Sequence, residues 1–239
     1  MSEIFGLHRF ASQDGLPQND KELSRALRSP TVKEVRCFAL GPEGTNISQA
    51  NATWLRRMGV EHKSSIALCE TPEDSLRQAR EVGEDGVVPT FGTCAVYYDL
   101  AKFFFRNPDV VPFLGIEPMA LDEMRLATRR KLADQVTNVV PSWWRIASHP
   151  SPSHLLAELN NMVVKADSNA TAAIMCERGE IEACITTASA AALHGLVTIH
   201  IFGSPTMIFF YGTTSHGANV LCQVMKETKA RGILRRRRL

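Results

Sequence analysis

The chain is predicted to fold as an α/β protein with a mostly parallel sheet, and three observations carry that expectation. Short β-prone runs alternate with stretches whose apolar residues recur at helical spacing, as Ile47, Ala50, Trp54 and Met58 do. Glycine and proline turns separate the two kinds of segment. Hydrophobic residues make up 44% and charged residues 22%, proportions that supply a core for a globular chain of 239 residues. Parallel strands need a crossover to reconnect, so alternating strands and helices place helices on both faces of the sheet.

Residues 1 to 33 show little periodicity and read as an N-terminal extension, with Leu23, Ala26 and Leu27 as one helical stripe. Val35 to Leu40 is the first strand, stopped by Gly41-Pro42-Glu43-Gly44, and Thr45 or Asn46 caps the helix that follows. Ile66 to Leu68 is a second strand. Thr71 and Pro72 begin the next helix, with proline in its first turn, and Gly86 to Val88 is a third strand closed by Pro89. Downstream, Val110 to Leu114, Ile146-Ala147, Ala183 to Thr186, Leu196 to Phe202 and Met207 to Tyr211 read as strands. Pro152 to Met162, Ala170 to Arg178 and the last 20 or so residues read as helices. No internal repeat is visible.

Charge and cysteine usage narrow the function. The net charge of +2 includes the four arginines at 235 to 238, so the remainder carries −2 and offers no basic face for nucleic acid. Cys37, Cys69, Cys94, Cys176, Cys184 and Cys222 lie far apart, without the paired spacing of a zinc site, and read as small core residues of a reduced cytoplasmic protein. No apolar run is long enough to span a membrane, and the N-terminus turns polar too early for a signal peptide, so a cytoplasmic location is expected. Neither a metal nor a cofactor is expected.

In parallel sheets, ligands gather at the carboxyl ends of strands, beside helix N-termini. Three segments fit that place: Gly41 to Ser48, Ser148 to Ser153 and Gly203 to Met207. Glycine permits close approach, and hydroxyls and helix amides hold a carboxylate without a formal positive charge. Together they suggest a small anionic ligand. Each also has a plain structural explanation as a turn or cap, and a lone His149 is an ordinary hydrogen-bonding residue as often as an acid or base.

Five short segments in order resemble the prephenate dehydratases over roughly residues 35 to 212. These are Leu40 to Thr45, Gly86 to Pro89, Ser148-His149-Pro150, Ser168 through Ala173, and Ala183 to Thr186 with Leu193 to Leu196. The resemblance implies a two-lobed fold of the type II periplasmic-binding-protein kind, with no ACT domain. Lobe 1 is then 34–112 plus 200–215, lobe 2 is 113–199, and a C-terminal helix with an Arg-rich tail occupies 216–239. It also implies a cleft for a small substrate and a homodimer.

The departures from the family fall on positions the resemblance makes catalytic. Where the dehydratases have Thr-Arg-Phe, this chain has Thr206-Met207-Ile208; Gly92 stands where they have Asn, and Leu155 where they have Gln. Dehydration needs donors for the departing ring oxygen, and these are gone. The chain is more similar to the bacilysin-type prephenate decarboxylases, whose Leu-Gly-Pro-Glu-Gly-Thr and Ser-His-Pro-Ser-Pro segments it resembles. That likeness implies loss of carbon dioxide from prephenate with the hydroxyl retained, in antibiotic biosynthesis.

On this reading Gly44, Thr45, Asn46 and Ser48, and Ser148, His149 and Ser151, hold two carboxylates, with Leu155 and Met207 in the site. Thr206 contacts the ring hydroxyl or merely caps a strand. Cys37, Cys94, His149 and bound water all stay open as proton donor. Arg125, Arg129 or Arg130 supplies charge or forms a solvated face. The alternatives are a dehydratase giving phenylpyruvate and a non-catalytic small-anion binding module.

Overall fold

The regular structure begins with a capped helix, α1 (Asp20–Leu27), whose first turn is closed by the Asn19 side chain accepting from Glu22 N. The computed structural model describes residues 12–41 and 45–236. After α1 come β1 (Glu34–Leu40), α2 (Asn46–Met58), β2 (Ser64–Cys69), α3 (Pro72–Glu81), β3 (Val87–Cys94), α4 (Leu100–Phe105) and β4 (Val111–Ala120). The chain continues with β5 (Met124–Thr128), α5 (Arg130–Ala133), β6 (Arg145–Ser148), β7 (Met162–Lys165) and α6 (Asn169–Glu177). It then forms β8 (Ala183–Thr187), α7 (Ala188–Leu193), β9 (Val197–Gly203), β10 (Thr206–Thr213) and α8 (Ser215–Arg236).

These elements form two units. One holds the chain to Met119 and again from Ile208, and the other is Ala120–Met207. The first sheet has the order β2-β1-β3-β10-β4 and the second β7-β6-β8-β5-β9. In the first, β1 is parallel to β2 and β3, and β10 runs antiparallel beside β3. In the second, β6 is parallel to β7 and β8, and β5 runs antiparallel between β8 and β9. The two sheets share one plan, three parallel strands followed by one reversed strand and an edge.

The core of the first unit lies on both sheet faces. Trp54 of α2 stacks on Tyr211 of β10, 4.3 Å between ring centroids and 20° from parallel, and both are fully buried. Gly115 of β4 allows that fit, because a Cβ there would sit 2.7 Å from Trp54 Nε1. On the opposite face Leu76, Phe91, Phe103 and Val110 form one cluster. In the second unit, α6 and α7 pack Ala172, Ala173, Cys176 and Ala191 onto Ala127, Ala147 and Cys184. Trp144, Ile146, Leu156 and Ile185 fill a second cluster.

Several expectations are corrected. The exchange between units falls at 119/120 and 207/208 rather than near 113 and 200, because β4 remains a strand of the first sheet to Ala120 and β9 pairs with β5 as far as Gly203. The N-terminal segment packs through the helical stripe expected of it, and more firmly than an extension: Leu23, Ala26 and Leu27 are buried, and Ser24 Oγ donates to Met58 O at 2.8 Å. The terminal helix starts at Ser215 and packs on β3 and α1; residues 1–11 and 237–239 lie outside the described residues.

Two local readings change as well. Pro89 does not end the third strand, which runs on to Cys94. Its carbonyl accepts from Thr213 Oγ1 just before the β3–β10 ladder starts at Thr90, so the missing N–H falls outside that ladder. The helix expected over 152–162 is a single 3-10 turn, Pro152–Leu156, followed by the edge strand β7.

Leu27→Ala tests whether α1 is integral. The fully buried side chain predicts a loss of about 2–5 kcal/mol in urea or thermal unfolding; a loss below about 0.5 kcal/mol would show that α1 is not integral to the first unit.

Candidate functional site

At the carboxyl end of β1, Gly41 N donates to Cys69 O at 2.8 Å, which carries the contact with β2 one residue past Leu40. Thr45 then caps α2: its Oγ1 accepts from Ser48 N at 3.3 Å and donates to Leu40 O at 3.3 Å. Ser48 Oγ donates to Thr45 O at 2.9 Å and is nearly buried. Both hydroxyl protons therefore serve backbone carbonyls, and the attraction this corner has for an anion comes from the positive end of α2 at Asn46. Gly44 lies outside the described residues.

Behind that helix end sits a buried polar group. Cys37 Sγ donates to Asn51 Oδ1 at 2.6 Å, and Asn51 Nδ2 donates to Ile47 O at 2.6 Å, so β1 and α2 are pinned together one turn below the cap. Asn51 lies over Gly92, where a Cβ would come within 2.9 Å of its Nδ2. Gly92 thus makes room for α2. Burial pushes the Cys37 thiol up to about 12, and burial also raises Cys94 at the end of β3.

In the second unit, Ser148 ends β6 buried, with Oγ donating to His149 O at 2.9 Å and its own carbonyl accepting from Ala166 N. Ser151 N donates to His149 Nδ1 at 3.3 Å, which assigns the neutral ring's proton to Nε2. Burial lowers the His149 pKa first, the Lys165 ammonium lowers it further, and the Asp167 carboxylate opposes both. Lys165 ends β7 opposite Ser148, so a cation borders this turn. Sequence reasoning missed it because residues 163–165 were assigned to no element.

The structure brings Leu155 together with the third segment. Leu155, 42% exposed, lines a pocket of about 260 Å³ with Met124, Phe202, Gly203, Ser204 and Pro205. Thr206 and Met207 follow directly, Thr206 exposed and Met207 half-buried at the start of β10. Met124 and Phe202 were not legible as site residues. The broken alternation at Ile201-Phe202 was the available signal.

Two of the three arginines proposed as charge donors have structural partners. Arg129 donates to the carbonyls of Cys176 and Ile181, tying down the turn after α6. Arg125 pairs with Glu123 and donates to Thr198 Oγ1 at 3.2 Å. Arg130 is exposed at the start of α5.

No protein-family model matches the chain, and no curated protein does. Solved structures do. The periplasmic VFT2 domain of Bordetella pertussis BvgS aligns with a TM-score of 0.52 at 13% identity, covering 89% of this chain and 99% of that one. The chain therefore has the two-lobed α/β fold of the type II periplasmic-binding-protein kind. An ancestral amino acid-binding protein described as a precursor of cyclohexadienyl dehydratase aligns at 0.45 and 15%, covering 84% and 91%. The quorum-quenching acylase GqqA aligns at 0.42 and 16% over 76% of this chain, which spans 64% of that protein's length. Among the described residues no helix is long and apolar enough to cross a membrane.

His149 supplies a test by proton NMR titration. Its folded pKa is expected below 6.5; Lys165→Met is expected to raise it and Asp167→Asn to lower it. Because the folded value is depressed, the neutral ring's contribution to stability is whole above 6.5 and is lost as pH falls through the window down to the folded pKa. A folded pKa above 6.5 would refute the arrangement.

Proposed function

We propose that the protein is a prephenate decarboxylase that releases carbon dioxide and retains the ring hydroxyl, acting in natural-product biosynthesis. The observation that supports this most is Leu155. At the position where the resembling dehydratases carry a hydrogen-bonding side chain, this chain presents an apolar one, 42% exposed, to a pocket shared with Met124 and Phe202.

The chemistry follows from what such a site offers. The bond from the ring to its carboxylate breaks, carbon dioxide leaves, and the electron pair spreads into the ring diene. A proton then adds to a ring carbon, giving dihydro-4-hydroxyphenylpyruvate. Apolar surroundings disfavour the localised carboxylate relative to the delocalised anion. Expulsion of hydroxide would need donors aimed at that oxygen, and Met207 and Leu155 supply none. Within the first unit Thr45, Asn46 and Ser48, and within the second Ser148, His149 and Ser151, are the residues proposed to hold a carboxylate. Thr206, exposed at the head of β10, is assigned to the ring hydroxyl.

Of the proton-donor candidates, fully buried Cys37 is the weakest, since it is bonded to Asn51 and its pKa is about 12. His149, with Nε2 carrying the proton, and half-buried Cys94 remain with water.

Incubation with prephenate at neutral pH is expected to release carbon dioxide and yield a non-aromatic product with its hydroxyl. Phenylpyruvate as the main product would instead establish dehydration. Unchanged prephenate with saturable binding would establish the binding module, a reading favoured by the fold shared with the BvgS periplasmic domain. The double substitution Met207→Arg with Leu155→Gln is expected to divert product toward phenylpyruvate, as seen by its ultraviolet absorbance.

A further inference from the structure

The pocket of the second unit is built on a fault in the sheet. Met124 pairs with Gly203 and Arg125 pairs with Ile201, which leaves Phe202 as an extra residue with no opposite number. Such a bulge re-aims the side chain it carries, and Phe202 is one of the pocket's walls. His200 meets the Phe202 ring edge-on at 4.7 Å and 74°, which fixes its orientation.

The other surfaces are equally defined. Met124 is 5% exposed and belongs to the cluster of Leu126, Trp144, Ile146 and Ile185, so this wall is backed by packed core. Leu155 stands on the 3-10 turn with its side chain partly open to solvent. At the rim, Gly203 has φ +96°, and a Cβ there would meet nothing within 4 Å, so the approach is clear on that side. Ser204, exposed, places a hydroxyl at the same rim.

Aromatic, thioether and branched aliphatic surfaces around about 260 Å³ suit a compact apolar group with one polar edge. The space is smaller than the roughly 300–1,000 Å³ of sites for drug-sized ligands. We infer that this pocket is a ring subsite, taking the six-membered carbocycle of a small cyclic 2-oxo acid, with Phe202 as its specificity-determining wall. The inference deepens the function proposed above and rests on it for the choice of acid. A flat or diene-containing ring gains offset contact with Phe202 that a branched chain does not.

The test is calorimetric titration of the full chain with phenylpyruvate, 4-methyl-2-oxopentanoate and pyruvate. Phenylpyruvate is expected to bind about tenfold or more tightly than either acyclic acid. Phe202→Ala is expected to weaken phenylpyruvate about tenfold and pyruvate by less than about twofold. Leu155→Ala, at a partly exposed position where folding is not at risk, is expected to shift phenylpyruvate in the same direction. Equal affinity for ring and acyclic acids, no binding of phenylpyruvate, or an unchanged affinity in Leu155→Ala would each overturn the ring subsite. Ring-selective binding without carbon dioxide release from prephenate keeps the subsite and removes the decarboxylase reading. Carbon dioxide release without ring selectivity does the reverse.

Discussion

The pairing of β10 with β3 is the constraint on which the rest of the first unit depends. Phe209 to Thr213 lie opposite Cys94 to Thr90, so a strand that arrives after the whole second unit becomes the interior member of a sheet otherwise started by β1 to β3. Such a long-range pairing must be secured by side chains, because loop closure over more than a hundred residues opposes it. The Trp54–Tyr211 stack supplies that on one face, and Gly212 allows it on the other, since a Cβ there would meet the Phe91 ring at 2.3 Å. The same stack fixes α2, and through Asn51 and Cys37 it fixes the turn of helix that carries Thr45, Asn46 and Ser48.

The second unit solves the same problem in the opposite order. Its reversed strand, β5, comes first in the chain and waits for β8 and β9 to form on either side. Each sheet is thus completed by a strand adjoining the connection between units. In the second the completion is imperfect: register shifts between Met124 and Arg125 and between Leu126 and Ala127 interrupt the β5–β9 ladder. Bulges concentrate where a sheet must re-aim side chains. Here the first of them lies at the strand end where Phe202, Leu155 and the Gly203 turn meet.

The sequence made legible whatever rests on local chemistry. The β1 strand, the Thr45 cap, the Thr71-Pro72 helix start and a strand over Ile146-Ala147 are all where spacing and capping rules put them. What stayed hidden depends on partners far away in the chain. Pro89 reads as a stop until the start of the β10 ladder is known, and Leu155, Leu156 and Leu159 read as a helix although the chain turns once and leaves as an edge strand. The shared plan of the two sheets left no repeat, because a topology fixes directions and neighbours while leaving side chains free to diverge. Phe202 was read as a strand residue and nothing more, since a bulge is a property of two strands compared.

The two corners proposed to hold carboxylates contrast in what they offer a ligand. At α2 the hydroxyls of Thr45 and Ser48 are committed to the backbone, so what that corner offers beyond them is the positive end of the helix. At β6 the imidazole of His149 has Nδ1 engaged by Ser151 N–H, while the Lys165 charge and burial both keep the ring neutral. A neutral ring with its remaining proton on Nε2 is a donor at pH 7 and not a competing cation. Arg125 and Arg129, two of the arginines proposed to supply charge, are bonded to Glu123 and Thr198 and to the carbonyls of Cys176 and Ile181. On the function proposed above, discrimination between ligands in this unit falls to shape, through Met124, Leu155 and Phe202.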